Sequence, residues 1–209
     1  MGRIYLIRHG ATVWSYGDQR YCGSTDLELS EQGLREAERI ADRLANESLA
    51  TVYATPLVRS RQTAEAVAKR HHVQVEVVTD LREAAYGDWE GLNYAEVAAR
   101  YPDLDDERMR NPAELAPPSG ENLNELIGRA VPALMMIAKH HIEEQIAVVG
   151  HNTVNRVLLC HFLEVPVAHY KRIVQSPAAI NVLEFAGDSM QVITINDTCH
   201  LGSVAFLEF

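Results

Sequence analysis

Four residues able to meet an anion stand where separate short elements end. Arg8 and His9 follow the run Arg3-Ile4-Tyr5-Leu6-Ile7, His151 follows Gln145 to Val149, and Arg59 falls just inside a helical pattern that opens after Thr55-Pro56. Guanidinium forks match phosphate oxygens two at a time, and helix starts add outward-facing backbone N–H groups. An edge that gathers these four side chains suits a phosphoryl group, and a histidine there could act as nucleophile, acid or clamp. Taken singly, each has an ordinary explanation, because a histidine after a strand is more often a hydrogen-bonded polar residue. Together they are harder to dismiss. The pairs His71-His72 and His140-His141 are adjacent in sequence and so point apart, unlike metal ligands at i and i+4; they are expected to be solvated, and no metal is expected. Neither a Gly-x-x-x-x-Gly-Lys loop nor a Gly-x-Gly-x-x-Gly turn is present, so P-loop hydrolysis and dinucleotide binding have no support, and no cofactor is expected.

The elements that must position these residues alternate. Arg3 to Ile7 is β-branched and aromatic and too short for a helix, which predicts a buried strand. From Ser30 to about Asn46 the apolar positions Leu34, Ala37, Ile40, Ala41 and Leu44 recur at three and four, predicting an amphipathic helix capped by Ser30. Thr51 to Ala54 reads as a second strand, and Thr55-Pro56 as the cap and first position of a helix through about Lys69. Gln74 to Val78 and Gln145 to Val149 read as further strands, with an apolar helix over Val154 to Leu163 and Cys160 in its core face. A helix over Glu121 to His141 is expected to kink at Pro132, and Asn181 to Phe185 with Gln191 to Ile195 reads as a hairpin. Between Asp80 and Glu121 the pattern loosens into glycines, a short helix near Tyr94 to Tyr101 and Pro117-Pro118-Ser119-Gly120; residues 80–121 are expected to be a cap-like excursion within one domain spanning 1–209. Strands alternating with helices argue for an α/β fold, a mostly parallel open sheet with helices on both faces and ligands outside the carboxyl ends of the strands.

Composition narrows the function classes. The chain has 209 residues, 47% hydrophobic and 23% charged, enough to bury a sizeable core. Its net charge of −10 repels long polyanions, so nucleic acid is not an expected partner. The longest wholly apolar stretch, Val131 to Ala138, contains Pro132 and is far shorter than the roughly 20 residues of a bilayer span, so no membrane is expected. No charged-then-apolar leader precedes Arg8, and Cys22, Cys160 and Cys199 suit reduced thiols; both point to a cytoplasmic protein. The strand Asn181 to Phe185 is read either as an edge pairing across a homodimer or as a covered edge.

Five ordered segments carry a family resemblance. Arg8-His9-Gly10-Ala11-Thr12, with Trp14 following, resembles the Arg-His-Gly signature of the histidine phosphatase superfamily, the phosphoglycerate mutase-like family. Asp26 to Gly33 is similar to that family's first helix entry, Thr55 to Ala64 to its second-arginine motif, Glu83 to Gly91 to the segment bearing its acid, and Gly150-His151 to its second histidine.

The resemblance implies a metal-independent phosphomonoesterase acting on a small phosphorylated metabolite. His9 would attack phosphorus in line to give a phosphohistidine, while Arg8, Arg59 and His151 hold the phosphoryl oxygens. Glu83 would protonate the leaving alkoxide and then activate water, a role that calls for burial beneath the Pro-rich excursion; without the motif it would read as a surface carboxylate paired with Arg82. Thr12, Ser15, Cys22, Gly23, Tyr86 and Asn152 match positions that line the family's pocket. Ala11, Ser15 and Asn152 depart from residues frequent there, which bears on substrate rather than on catalysis. The phosphoglycerate mutases of the family carry an adjacent arginine pair for the substrate carboxylate, whereas Met109 to Asn122 has Arg110 and no such pair, which favours a phosphatase over a mutase. The tail Thr198-Cys199-His200-Leu201-Gly202 resembles that of metal-independent phosphoserine phosphatases, whose tail residues can approach the pocket, although Tyr86 stands where those enzymes tend to have histidine. A third alternative is a phospholigand-binding protein without turnover.

Overall fold

Strict alternation along the first strand builds two cores at once. In the computed structural model, which describes residues 1–187 and 189–202, β1 (Gly2–Arg8) sends Ile4 and Leu6 to one face of a sheet and Tyr5 and Ile7 to the other. The sheet also contains β2 (Leu49–Ala54), β3 (Val75–Val77), β4 (Gln145–Gly150), β5 (Ile180–Ala186) and β6 (Ser189–Asp197), in the order β3-β2-β4-β1-β5-β6. β1 to β4 run parallel, β5 is antiparallel to β1, and β6 is antiparallel to β5. This is the expected α/β architecture with a mostly parallel open sheet.

On the Tyr5 and Ile7 face lie α1 (Glu31–Leu44) and α2 (Val58–His71), contributing Ile40, Leu44, Ala64 and Val67; on the Ile4 and Leu6 face, α5 (Leu123–His140) and α6 (Asn152–Phe162) contribute Leu126, Leu134, Val157 and Leu158. Ser30 caps α1 as expected, its hydroxyl accepting from the Gly33 N–H. Leu34 leaves the expected apolar face and is 48% exposed, and Glu36 is buried among the inward positions instead. α2 begins at Val58, later than Thr55-Pro56 suggests, with Leu57 as its N-cap; the Thr55 hydroxyl lies 2.8 Å from His151 Nε2 and accepts from the Leu57 N–H at 3.4 Å. α5 runs on through Pro132 as one element.

Residues 80–121 fold into two 3-10 turns, α3 (Tyr94–Arg100) and α4 (Pro102–Arg110). The polar sequence of α4 shows no apolar periodicity, so it is missed from the sequence. Its signals are electrostatic: Pro102 at the first turn, Asp103 and Asp105 near the N-terminus, Arg108 and Arg110 near the C-terminus. Arg108 is buried with its guanidinium 5.3 Å from the centre of the Trp89 ring.

β5 lies between β1 and β6, so its backbone is paired on both sides and the reading of Asn181 to Phe185 as an edge available to a second copy is withdrawn; β3 and β6 are the edges. The hairpin is present, although Asp188 of its loop lies outside the described residues. Cys160 is core, as expected, but His141 is not simply solvated: its ring bonds the Tyr53 hydroxyl at 2.8 Å and the Glu144 carboxylate at 2.6 Å. Among the described residues no helix is long and apolar enough to cross a membrane.

Candidate active site

Strand register assembles the site. Arg8 pairs with Gly150 and Ala54 with Val149, so β1, β4 and β2 end level, and the residues that follow them, His9, His151 and Thr55, become neighbours. The His9 and His151 rings meet edge-on with centroids 5.1 Å apart. One residue separates α6 from β4 and three separate α2 from β2, which brings Arg59 and two helix N-termini to the same edge.

His9 is nearly closed to solvent, and its Nδ1 lies 2.7 Å from the Gly10 carbonyl. A carbonyl only accepts, so Nδ1 carries the proton and the Nε2 lone pair remains for chemistry. Burial, then the charges of Arg59 and Arg8, hold its pKa well below the usual histidine value. Burial, Arg59 and His9 do the same to His151, whose Nε2 is 2.8 Å from the Thr55 hydroxyl. Both rings are therefore neutral at neutral pH. Arg8 donates to the Gln175 carbonyl, and burial and Arg156 bring its pKa down to about 10, which leaves it charged at neutral pH.

Arg59 is 1% exposed and donates to the carbonyls of Thr25 at 2.7 Å, Gly23 at 2.8 Å and Cys22 at 3.4 Å. The opposite edge of that loop belongs to Glu90, which accepts from the N–H groups of Gly23, Ser24 and Thr25 and from the Thr25 hydroxyl at 2.6 Å. A Cβ at position 23 would collide with the Ala84 carbonyl and the Glu90 carboxylate, which explains the glycine. Glu83 is buried and does not pair with Arg82. One of its oxygens accepts from the Ala84 and Val154 N–H groups at 2.9 and 3.0 Å, the other from the Thr153 N–H at 2.9 Å, so the carboxylate sits on the N-terminus of α6. Arg8 Nε, Arg59 Nε and His151 Nδ1 are buried without a hydrogen-bond partner.

A cavity of about 420 Å³ opens at this edge. Arg8, His9, Thr12, Ser15, Cys22, Glu83, Tyr86 and Asn152 line it. Arg59 and His151 are buried and are not among the residues lining the cavity, and Gly23 serves the loop backbone and not the cavity wall. Ser15 accepts from the Thr12 N–H at 2.8 Å, the Tyr86 hydroxyl is 2.7 Å from that of Thr153, and burial pushes the Cys22 thiol up to about 11. The tail segment Thr198 to Gly202 does not reach the cavity; Arg39 of α1 donates to its Leu201 carbonyl.

Several organising residues carried no sequence signal. Glu36, like Glu90, is a carboxylate turned inward, accepting from the Ala11 N–H at 2.7 Å and from Gln32 at 2.8 Å. Thr55 reads as a helix cap, and Gln175 precedes β5 without any motif. Arg156 and Lys171 reach the cavity wall from α6 and from the 3-10 helix Val167–Arg172, an element with no clear periodicity. Among the described residues no group of three or more His, Cys, Asp or Glu side chains is placed to hold a metal ion.

The chain is 33% identical over 215 residues to a metal-independent phosphoserine phosphatase of Arabidopsis thaliana, covering 98% of this chain and 85% of the relative. Among solved structures it superposes on YhfR of Bacillus stearothermophilus with a TM-score of 0.90 at 29% identity, covering 96% of this chain and all of the other. It superposes on a mycobacterial glucosyl-3-phosphoglycerate phosphatase with a TM-score of 0.83 at 26% identity, covering 94% and 99%. Residues 4–198 match the histidine phosphatase superfamily, branch 1, and the chain belongs to that family.

Proposed function

We infer that this member of a family of phosphatases for phosphorylated small molecules is a metal-independent phosphomonoesterase working through a phosphohistidine on His9. One observation carries the reading. A buried, neutral imidazole with its Nδ1 proton committed to Gly10 stands beside Arg8, Arg59 and His151, each with an unpartnered buried nitrogen. Such donors are costly to bury unless a ligand satisfies them, and phosphoryl oxygens do so. His9 Nε2 attacks phosphorus, the ester P–O bond breaks, and Glu83 gives a proton to the leaving oxygen. Glu83 then takes a proton from water, whose oxygen attacks the phosphohistidine and releases phosphate and free His9. With the Thr55 hydroxyl donating to His151 Nε2, His151 Nδ1–H is left to donate to a phosphoryl oxygen.

Relatives named for phosphoserine and for glucosyl-3-phosphoglycerate support small phosphate esters as the substrate class, with phosphoserine a candidate. The three unpaired thiols support a reducing compartment, the cytoplasm. The test is phosphate release from phosphoserine, 3-phosphoglycerate and p-nitrophenyl phosphate with a chelator present. Release that persists with chelator and disappears in His9→Ala is expected; equal release by His9→Ala and the parent protein would overturn the mechanism.

A further inference from the structure

The cavity holds more positive charge than one phosphoryl group uses. Arg156 lies one helical turn beyond Asn152 on α6, and Lys171 comes from the following 3-10 helix; both line the cavity. Arg20 is also on the wall but is spent on Asp18, Glu96 and the Gly91 carbonyl. Arg156 has no carboxylate within 4 Å among the described residues, and its buried Nε has no partner. The Lys171 ammonium rests on the Met109 sulfur at 3.0 Å, a weak acceptor. Partial burial, Arg108 and Arg156 lower its pKa from the usual lysine value, with Asp105 opposing them. Glu83 is the only acidic side chain among the described residues lining the cavity, and it is held on the α6 backbone. In a chain of net charge −10, two neighbouring cations left without an acid on a cavity wall call for an anion from outside.

We propose that Arg156 and Lys171 form a second anion subsite, taking a carboxylate or a second phosphate on the substrate whose phosphomonoester sits at His9. The subsite rests on the phosphomonoesterase reading and deepens it by naming the substrate class: short phosphate esters bearing another oxyanion. Arg156 supplies a planar fork and Lys171 a point charge near the rim.

The experiment compares 3-phosphoglycerate, glycerol 3-phosphate and propane-1,3-diol bisphosphate, reading the ratio of kcat/KM for each doubly anionic ester over glycerol 3-phosphate. The ratio cancels any general effect of Arg156 on the neighbouring Arg8. The parent protein is expected to prefer a doubly anionic ester by at least about 10-fold, and Arg156→Gln to lower that ratio about 10- to 100-fold, chiefly through KM. Lys171→Met should lower it by about 3- to 10-fold, as befits a more exposed charge. The ester whose advantage falls most identifies the anion. No preference in the parent, or a ratio that moves less than about 2-fold in Arg156→Gln, overturns the subsite. Absence of release from every ester, p-nitrophenyl phosphate included, would overturn the esterase reading alone. Calorimetric Kd values for 3-phosphoglycerate and glycerol 3-phosphate would then decide the subsite, equal values overturning it.

Discussion

Acid should destabilise this protein through its two site histidines. His9 and His151 are held neutral by burial and by Arg59, with pKa values well below that of a free histidine near 6.5. Below pH 6.5 the unfolded chain takes up protons that the folded site refuses, so stability is present above that pH and is lost as pH falls toward the folded values. A histidine that stays neutral in the fold at pH 5.5 costs about 1.4 kcal/mol relative to pH 7.5, and the pair about 2.7 kcal/mol. Denaturant unfolding at pH 7.5, 6.5 and 5.5, in buffers free of phosphate, reads this directly. The His9→Asn/His151→Asn double variant carries every other titrating group, including His71 and His200, and should lose about 2.7 kcal/mol less over the same range. A difference under about 0.5 kcal/mol between parent and double variant would show that the rings are not held neutral, and the argument for His9 as a ready nucleophile would fall with it.

The remaining predictions concern groups that organise the site. Glu90→Gln keeps the shape but loses the charge that gathers the loop 22–25, so unfolding should cost about 1.5–3 kcal/mol less and phosphate release should drop with it; an unchanged denaturation midpoint would sink the idea. Gly23→Ala forces a methyl group against the Ala84 carbonyl, a backbone group that cannot swing aside, so the loop must shift; kcat/KM should fall about 10- to 100-fold, whereas parental kinetics would contradict the close approach. Leu134→Ala, in the core between α5 and the sheet, should destabilise by about 2–5 kcal/mol while leaving KM alone, and a KM change would mean the core couples to the cavity.

The parts of the fold legible in the sequence are those whose period is set by burial. β1 buries alternate residues on the two faces of the sheet, and α1 and α5 each bury one face against it, so their apolar positions follow the pleat or the helical turn. α4 and the 3-10 helix Val167–Arg172 bury little beyond Arg108 and Tyr170, and their sequences show no repeat to read. α2 begins at Val58 with Leu57 as its N-cap, while the Thr55 hydroxyl both lies 2.8 Å from His151 Nε2 and accepts from the Leu57 N–H at 3.4 Å, a tie to the site that the Thr55-Pro56 pair does not announce.

In the site, the same division separates groups positioned to react from groups that position them. Arg8, His9, Arg59, Glu83 and His151 stand at strand or helix ends or within recognisable motifs, so their convergence could be inferred before register was known. Glu36 and Glu90 could not, because a carboxylate that collects backbone N–H groups is the same letter as one exposed on a helix; only the geometry of Ala11 and of Gly23 to Thr25 distinguishes them. The consequence is physical as well as diagnostic. Arg59 spends its terminal nitrogens on the carbonyls of the loop that Glu90 holds by its amides, so Glu90 orients Arg59 through one layer of backbone. The buried charge that depresses the pKa of both histidines therefore depends on a carboxylate that touches neither ring, and the position of that charge is as much a property of the loop as of the arginine itself.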